Sequence, residues 1–234
     1  MAEARLPTFI KGLDEQIEGG IPQGFILLIM GEPGTMKSSL SYSILHHNAK
    51  AGRNCLYVTL EQGRKSLLTQ MTSLGMPYEQ VENNLSVLDL AILRKKMKLG
   101  KKSWMEVFKM YAVNLRKSLN YEILVIDSLT ILELLSSFRE PRIELFEFFE
   151  WLRDMNVNTI LPTEMNSKGD ILTTYGEDYL ADAIIHLKME RVGDVNIQRR
   201  LRVVKLRATN HSPNFFTLLH GDGGFAVTKV IAEE

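Results

Sequence analysis

The chain has 234 residues, of which 45% are hydrophobic and 24% charged, and lysine plus arginine balances aspartate plus glutamate at 28 each. These values predict one domain over residues 1–234 with a sizeable core, and they exclude a uniformly basic protein of the nucleic-acid-coat type. The single cysteine, Cys55, excludes an internal disulfide or a multi-cysteine zinc site, and with no signal pattern and no long apolar run we expect a cytoplasmic chain without membrane insertion.

The first predicted elements are an apolar strand at 25–30, a glycine-rich turn and a helix at 37–50. A turn in this position directs main-chain N–H groups and the positive end of the helix at one anion. We therefore predict a phosphate-binding loop for ATP, in which Lys37 contacts the β- and γ-phosphates and the Ser38 hydroxyl binds Mg²⁺. The predicted nucleotide-binding residues are Gly31, Glu32, Pro33, Gly34, Thr35, Met36, Lys37, Ser38 and Ser39.

One loop position departs from the usual pattern, because Met36 stands where a glycine normally precedes the lysine. The alternative interpretation is a Gly-Pro turn before an ordinary helix. Methionine keeps its N–H, so phosphate contact survives if residue 36 has a negative φ, whereas a positive φ would strain the side chain. The substitution therefore bears on the rate of hydrolysis more than on nucleotide binding.

The rest of the chain alternates between strands and helices. Strands are predicted at 55–60, 85–90, 123–126 and 159–161, and helices at 64–74, 103–118 and 140–154. From residue 183 onward, short strands with glycine-rich turns predict antiparallel hairpins. The predicted fold class is α/β, with a mainly parallel twisted sheet flanked by helices and antiparallel hairpins at the C-terminal end.

Three acidic residues follow predicted strands, at the carboxyl ends where ligands of parallel sheets bind. Asp127 ends a four-residue apolar strand and is predicted to hold Mg²⁺ directly or through water, the alternative being a turn residue. Glu61 is a candidate to polarise the water that attacks the γ-phosphate, or else a solvated strand end. Glu164 is a candidate γ-phosphate sensor, or it merely ends its strand.

Together these motifs resemble the RecA superfamily, and within it the KaiC and archaeal RadA-like branch of ATPases, as a single core domain over nearly the whole chain. The similarity lies in the segment 12–24 before the loop, in the strand that ends at Glu61, and in Asp127-Ser128-Leu129-Thr130. The resemblance implies a RecA-like P-loop NTPase core with Walker A and Walker B motifs, an ATP hydrolase activity that needs Mg²⁺, and a catalytic role for Glu61.

The C-terminal part carries Lys205-Leu206-Arg207, followed by Thr209 and His211, which resembles the Lys-x-Arg strand of that family. In such proteins the pair reaches the γ-phosphate bound by the adjacent subunit. The resemblance therefore implies that Lys205 and Arg207 act in trans as arginine-finger equivalents within a homo-oligomer such as a hexamer. Without the resemblance, a basic solvated strand is the preferred interpretation. Gln62 stands where relatives often have a second acidic residue, which bears on the turnover rate.

Two other functions stay open at this stage. A nucleotide-dependent switch or scaffold with little hydrolysis would follow from Met36, and an unknown protein would then be its partner. A DNA-binding recombination accessory protein would use the basic segment 94–102 or the loop 166–176, with Trp104 and Phe108 as the nearest aromatic residues. The basic segment is also explained by a solvated face, and the two aromatic residues by a helix core.

Overall fold

A computed structural model describes residues 4–90, 104–136, 138–165 and 173–230. The basic segment 94–102 lies outside the described residues, as does most of the predicted loop 166–176. None of the described helices is both long enough and apolar enough to cross a membrane.

The predicted helices and strands occur in the predicted order, and most boundaries agree within two residues, but the strand predicted at 159–161 spans Asn158–Glu164. The structure also contains short helices and strands that the sequence did not predict. The strands are β1 (Arg5–Leu6), β2 (Ile21–Pro22), β3 (Ile26–Gly31), β4 (Cys55–Thr59), β5 (Leu85–Asp89), β6 (Ile123–Asp127), β7 (Asn158–Glu164), β8 (Ala183–Val192), β9 (Asn196–Leu206), β10 (Phe216–Gly221) and β11 (Gly224–Lys229). The helices are α1 (Lys37–Lys50), α2 (Arg64–Ser73), α3 (Trp104–Leu119), α4 (Leu129–Ser136), α5 (Pro141–Asp154) and α6 (Glu177–Leu180).

Within the described part of the chain, nine strands form one sheet in the order β11-β10-β9-β8-β3-β7-β6-β4-β5. The six strands from β8 to β5 in this order are parallel, and β9, β10 and β11 extend the sheet antiparallel. The predicted fold class is confirmed. Because the parallel strands share one direction, their carboxyl ends meet at a single edge.

The central strands are buried on both faces, as parallel strands covered by helices must be. Every residue of β3 and β6 is buried. Leu27 and Ile29 belong to the core cluster that contains residues of α1 and α2, whereas Ile26 and Leu28 belong to the cluster under α3, α4 and α5. The two-sided core thus fixes the position of the carboxyl end of β3, from which the glycine-rich loop starts.

Two aromatic residues considered for nucleic-acid stacking lie in this core. Trp104 is 9% exposed and Phe108 is 1% exposed, and the Phe108 ring packs edge-on against Phe148 and Trp151. Stacking on bases needs an exposed ring face. The core interpretation of the two side chains is therefore the right one.

Gly31 ends β3 where the strand is most tightly enclosed. It is paired with Glu164 in β7 and with Leu187 in β8. A Cβ at this position would lie 2.4 Å from the carbonyl oxygen of Leu187 and 2.8 Å from Oγ1 of Thr35. The close approach of these groups explains why residue 31 is a glycine. No special backbone conformation is needed for this explanation.

We expect Gly31→Ala to lower the free energy of unfolding by about 1–3 kcal/mol, because the added methyl group must displace the β8 backbone. Gly221→Ala is the matched control, since a Cβ there meets no atom within 4 Å. Chemical denaturation of the two variants and the wild type measures the difference. Equal stabilities of the two alanine variants would contradict the packing argument.

Candidate functional site

The loop between β3 and α1 carries its backbone strain at Met36. This residue is the N-cap of α1 and has φ 73° and ψ 29°, in the left-handed region. The positive-φ alternative is therefore the one observed. This conformation is unfavourable by about 1–2 kcal/mol for a residue that has a side chain. The Met36 side chain is half-buried against the core cluster of α1, and this packing offsets part of the cost.

The start of α1 is open to an anion. Within the described residues, no side chain caps this end of the helix, and its first turn contains no acidic residue. The first N–H groups of a helix have no partner inside the helix, and the helix dipole places partial positive charge there. The loop before α1 is stabilised by a hydrogen bond of its own. The buried Thr35 hydroxyl donates to the carbonyl oxygen of Glu32 at 2.7 Å.

Lys37 folds back over the loop. Its Nζ donates to the carbonyl oxygens of Gly31 at 2.8 Å and Glu32 at 3.1 Å. Burial lowers the pKa of the Lys37 ammonium, and the negative charges of Glu164, Glu61 and Asp127 oppose that shift. The cation therefore already lies in the field of all three strand-end carboxylates.

Asp127 and Glu61 are each held by hydroxyl groups. Burial raises the pKa of the Asp127 carboxyl, and hydrogen bonding by Tyr57 and Ser38 works against this shift. Glu61 is exposed and accepts a hydrogen bond from the Ser128 hydroxyl. Two neighbouring strand ends thus present one buried and one exposed carboxylate to the same space.

The loop and the strand ends enclose a cavity of about 450 Å³, which is within the size range of small-molecule sites. Of the predicted residues, Gly31, Glu32 and Thr35 do not line it and instead form or brace the loop behind it. Its lining comprises Pro33, Gly34, Met36, Lys37, Ser38, Ser39, Glu61, Gln70, Ser73, Leu74, Asp127, Ser128, Glu164 and Arg199. The sequence-predicted lysine, serine and three carboxylates therefore converge on one cavity.

The donors in this cavity fit Mg²⁺. A serine hydroxyl and a carboxylate are the oxygen ligands that this ion prefers, and it usually takes only one or two from the protein, with phosphates and water completing the octahedron. In the described part of the chain, no group of three or more His, Cys, Asp or Glu side chains could hold a metal by itself. Ser38 and Asp127 therefore suit an ion that arrives with a phosphate ligand.

Arg199 is a cavity residue that sequence reasoning missed. It lies in β9, and its Nε donates to the Gly34 carbonyl oxygen at 3.4 Å. The register of β9 against β8 pairs Arg199 with Met189, and the methionine's terminal methyl lies close to Gly34. Only this long-range register brings the arginine to the loop, and nothing in the local sequence signals it.

Lys205 and Arg207 lie side by side but not in this cavity. Lys205 Nζ donates to the carbonyl oxygens of Asp178 and Tyr179 at 3.1 and 3.2 Å, and Arg207 donates to Oδ1 of Asp182 at 2.7 Å. Lys205 pairs with the start of β8 and is six residues, about 20 Å of strand, from Arg199. The pair therefore lies toward the amino ends of the parallel strands, away from the chain's own loop.

A protein-family model for the ATPase KaiC matches residues 6–230. The chain belongs to the KaiC ATPase family. It is 27% identical to the circadian clock protein KaiC2 of Synechocystis sp., over 97% of this chain and 40% of that protein. It is 26% identical to the circadian clock oscillator protein KaiC of Parasynechococcus marenigrum, over 97% of this chain and 45% of the relative.

A KaiC-like protein from the hyperthermophilic archaeon Pyrococcus horikoshii has a similar crystal structure. Its TM-score is 0.83 at 29% sequence identity, over 97% of this chain and 99% of that chain. By contrast, the present chain spans less than half the length of the two cyanobacterial relatives. The family and the fold are therefore shared, and these relatives contain further sequence beyond the matched region.

Beside the main cavity, the KaiC-family chain holds a pair of buried carboxyl groups. Glu133 of α4 is 9% exposed and Glu177 of α6 is 2% exposed. Both line a smaller cavity of about 190 Å³ that also touches Glu164. Burial and the neighbouring Glu177 carboxylate raise the pKa of Glu133 to about 9, so at neutral pH Glu133 carries a proton.

We expect this proton to make stability depend on pH. The folded chain binds it more tightly than the unfolded chain, so its contribution to the free energy of unfolding is complete below the ordinary pKa of 4.5 and is lost as the pH rises through about 9. Glu133→Gln keeps a neutral donor and should remove this pH-dependent component, which denaturant titrations at a series of pH values will measure. Glu82→Gln, on an exposed position, is the control, and parallel pH profiles for wild type and Glu133→Gln would contradict the assignment.

Proposed function

We propose that the chain binds ATP with Mg²⁺ in the cavity above the loop and hydrolyses it to ADP and phosphate at the interfaces of a homo-oligomer. One observation carries this proposal. Lys37, Ser38, Glu61 and Asp127 converge on one cavity, whereas the Lys205–Arg207 pair faces away from it. A complete set of groups for phosphoryl transfer would then exist only where two protomers meet.

The phosphates would be bound by the loop's main-chain N–H groups and the start of α1. Lys37 would exchange its present carbonyl partners for the β- and γ-phosphate oxygens, which are better acceptors for an ammonium ion. Ser38 and Asp127 would hold Mg²⁺, which when bound neutralises charge on the β- and γ-phosphates. Arg199, beside the Gly34 carbonyl, would add a further positive charge within the same chain.

Glu61 would accept a proton from the attacking water. It is exposed to the cavity, and the hydrogen bond from Ser128 restricts the orientation of its carboxylate. A carboxylate in this position contributes both by aligning the water and by receiving its proton.

Lys205 and Arg207 would act on the γ-phosphate of the neighbouring protomer. The Arg207 side chain is 50% exposed, and its guanidinium donates to the Asp182 carboxylate and to the Tyr179 carbonyl oxygen. A half-exposed guanidinium of this kind can reach a second molecule while keeping its internal partners. Positive charge delivered to the transferring phosphoryl group stabilises the charge that develops in the transition state.

Mixing two inactive variants tests this arrangement directly. We expect Arg207→Ala and Glu61→Gln each to lower the rate of ATP hydrolysis by about a thousandfold or more. Mixed oligomers should regain activity, because some interfaces then combine an intact Glu61 from one protomer with an intact Arg207 from the next. Phosphate release from the separate and mixed proteins measures the recovery.

Arg191→Ala is the matched control, since this arginine is 69% exposed and is not among the described residues that line the cavity. It should retain the wild-type rate. If both residues act within one chain, every protomer in the mixture carries a defect and no activity returns. Absence of recovery, with oligomers verified to mix, would thus refute action in trans.

A second candidate function is a nucleotide-dependent switch or scaffold that hydrolyses ATP little, and one specific observation favours it. Met36 occupies the left-handed conformation and is one of the residues that line the cavity. A glycine at this position would allow closer approach of the backbone to a phosphate. A side chain at this position, next to Lys37, would therefore keep a phosphate further from the loop.

We expect Met36→Gly to raise the rate of ATP hydrolysis, by about tenfold for each 1.4 kcal/mol of barrier removed. Met36→Ala is the matched variant, because it removes the thioether but keeps a side chain at positive φ. A gain in glycine alone would assign the effect to the backbone, and a gain in both would assign it to side-chain volume. If neither variant is faster in steady-state assays, Met36 gives no reason to favour the switch.

A further inference from the structure

Tyr57 is a fully buried tyrosine whose hydroxyl reaches the catalytic edge of the sheet. It lies in the middle of β4 and is 0% exposed. Its hydroxyl donates to Oδ2 of Asp127 at 2.5 Å. This distance is that of a short, charge-assisted O–H···O⁻ hydrogen bond.

The sheet register explains how the two residues meet. In the parallel pairing of β4 with β6, Tyr57 is opposite Val125 and Thr59 is opposite Asp127. Side chains alternate along a strand, so Tyr57 and Asp127 lie on the same face, two residue positions apart along the strands. That face is covered by α1, whose Tyr42 ring packs 5.7 Å from the Tyr57 ring. The Tyr57 side chain thus lies under α1 and extends toward the carboxyl end of β6.

Packing accounts for the ring of Tyr57 but not for its hydroxyl. A phenylalanine would fill the same volume among Tyr42, Ile123 and Val125, and it would bring no polar atom into the core. Burying a hydroxyl is unfavourable unless it forms a hydrogen bond. Tyr42 supplies the contrast, because its buried hydroxyl has no hydrogen-bond partner among the described residues. The hydroxyl of Tyr57 makes a specific contact where its neighbour makes none.

The bond determines what Asp127 can offer to a cation. With Oδ2 held by Tyr57, rotation of the carboxylate is restricted at the edge of the cavity that Asp127 lines. Groups that hydrogen-bond to metal ligands orient them, and losing such a group typically weakens metal binding. Ser38, the other predicted Mg²⁺ ligand, also favours the charged form of Asp127.

We propose that Tyr57 is a positioning residue, whose hydroxyl holds the Asp127 carboxylate in the orientation that binds Mg²⁺ together with the nucleotide. This role rests on the proposed function, since it presupposes that Asp127 serves a metal–nucleotide complex. Tyr57 is fully buried and is not among the described residues that line the cavity. Its effect is therefore confined to the part of nucleotide binding that depends on the metal.

Tyr57→Phe tests the proposal, with Tyr42→Phe as the matched control. Each substitution removes one buried phenolic oxygen from the same core, but only the first removes a partner of Asp127. A fluorescent ATP analogue is titrated in EDTA to measure metal-free affinity. The titration is then repeated over a range of Mg²⁺ concentrations to obtain the half-saturating value, and thermal unfolding in metal-free buffer reports the fold.

We expect Tyr57→Phe to raise the half-saturating Mg²⁺ concentration by about tenfold, with unchanged affinity in EDTA and a cooperative unfolding transition. Tyr42→Phe should change neither binding quantity. Equal Mg²⁺ dependence in Tyr57→Phe and wild type would overturn the proposal. So would an equal loss of affinity with and without metal, or a Tyr57→Phe chain that does not fold, because either result would assign the hydroxyl a general structural role.

Failure of the proposed function gives a different result. In that case the wild type itself binds no nucleotide analogue in EDTA or in Mg²⁺. The wild-type titration therefore shows whether the proposed nucleotide site is wrong or only the proposed role of Tyr57.

Discussion

The site depends on how closely β3 approaches β8 at Gly31. The Leu187 carbonyl oxygen and the Thr35 hydroxyl occupy the space where a side chain would otherwise project, so the strand can end only in a glycine. Immediately beyond this contact the chain turns through the loop and enters α1. Because β3 is buried on both faces, the two-sided core holds the loop and helix start in one position before any ligand arrives. The fixed position of the loop, which we propose to be the anion site, is thus a property of the core.

Charge balance around the loop follows from burial. Lys37 is the cation next to three strand-end carboxylates, and in the structure it is satisfied by main-chain carbonyl groups. Burial disfavours the charged form of two nearby carboxyl groups, and these groups differ in what surrounds them. Hydroxyl groups of Tyr57 and Ser38 stabilise charge on Asp127, whereas Glu133, with Glu177 as its neighbour, keeps its proton. Burial raises the pKa of both groups, but only Asp127 has hydroxyl partners that favour its charged form, which the proposed Mg²⁺ site requires.

The sequence predicts the parts of this arrangement that are local. The strand, loop and α1 are recognisable because an apolar run, two spaced glycines and a helical pattern lie within 26 residues, 25–50, and Asp127 follows directly from its apolar strand. Helix α4 was not predicted. Its sequence Leu-Thr-Ile-Leu-Glu-Leu-Leu-Ser is apolar on most sides, so no clear helical periodicity separates it from the preceding strand.

The contacts that join distant parts of the chain could not be predicted in the same way. Tyr57 and Asp127 are 70 residues apart, and Arg199 meets Gly34 across 165 residues, so both contacts depend on strand order and register. The φ angle of Met36 likewise depends on how the surrounding structure forces the turn, and sequence reasoning could only state the two alternatives. The roles assigned to Lys205 and Arg207 depend on a second protomer, and they stay predictions.

We propose that the loop after β3 holds the β- and γ-phosphates of a nucleotide. Calorimetric titration of the wild-type chain with ATP, ADP and AMP in the presence of Mg²⁺ tests it most directly, because the three ligands differ only in the phosphates that the loop is proposed to bind. We expect strong binding of ATP and ADP and a large loss of affinity for AMP. Equal affinity for AMP and ATP, or no binding of any of the three by folded protein, would contradict it.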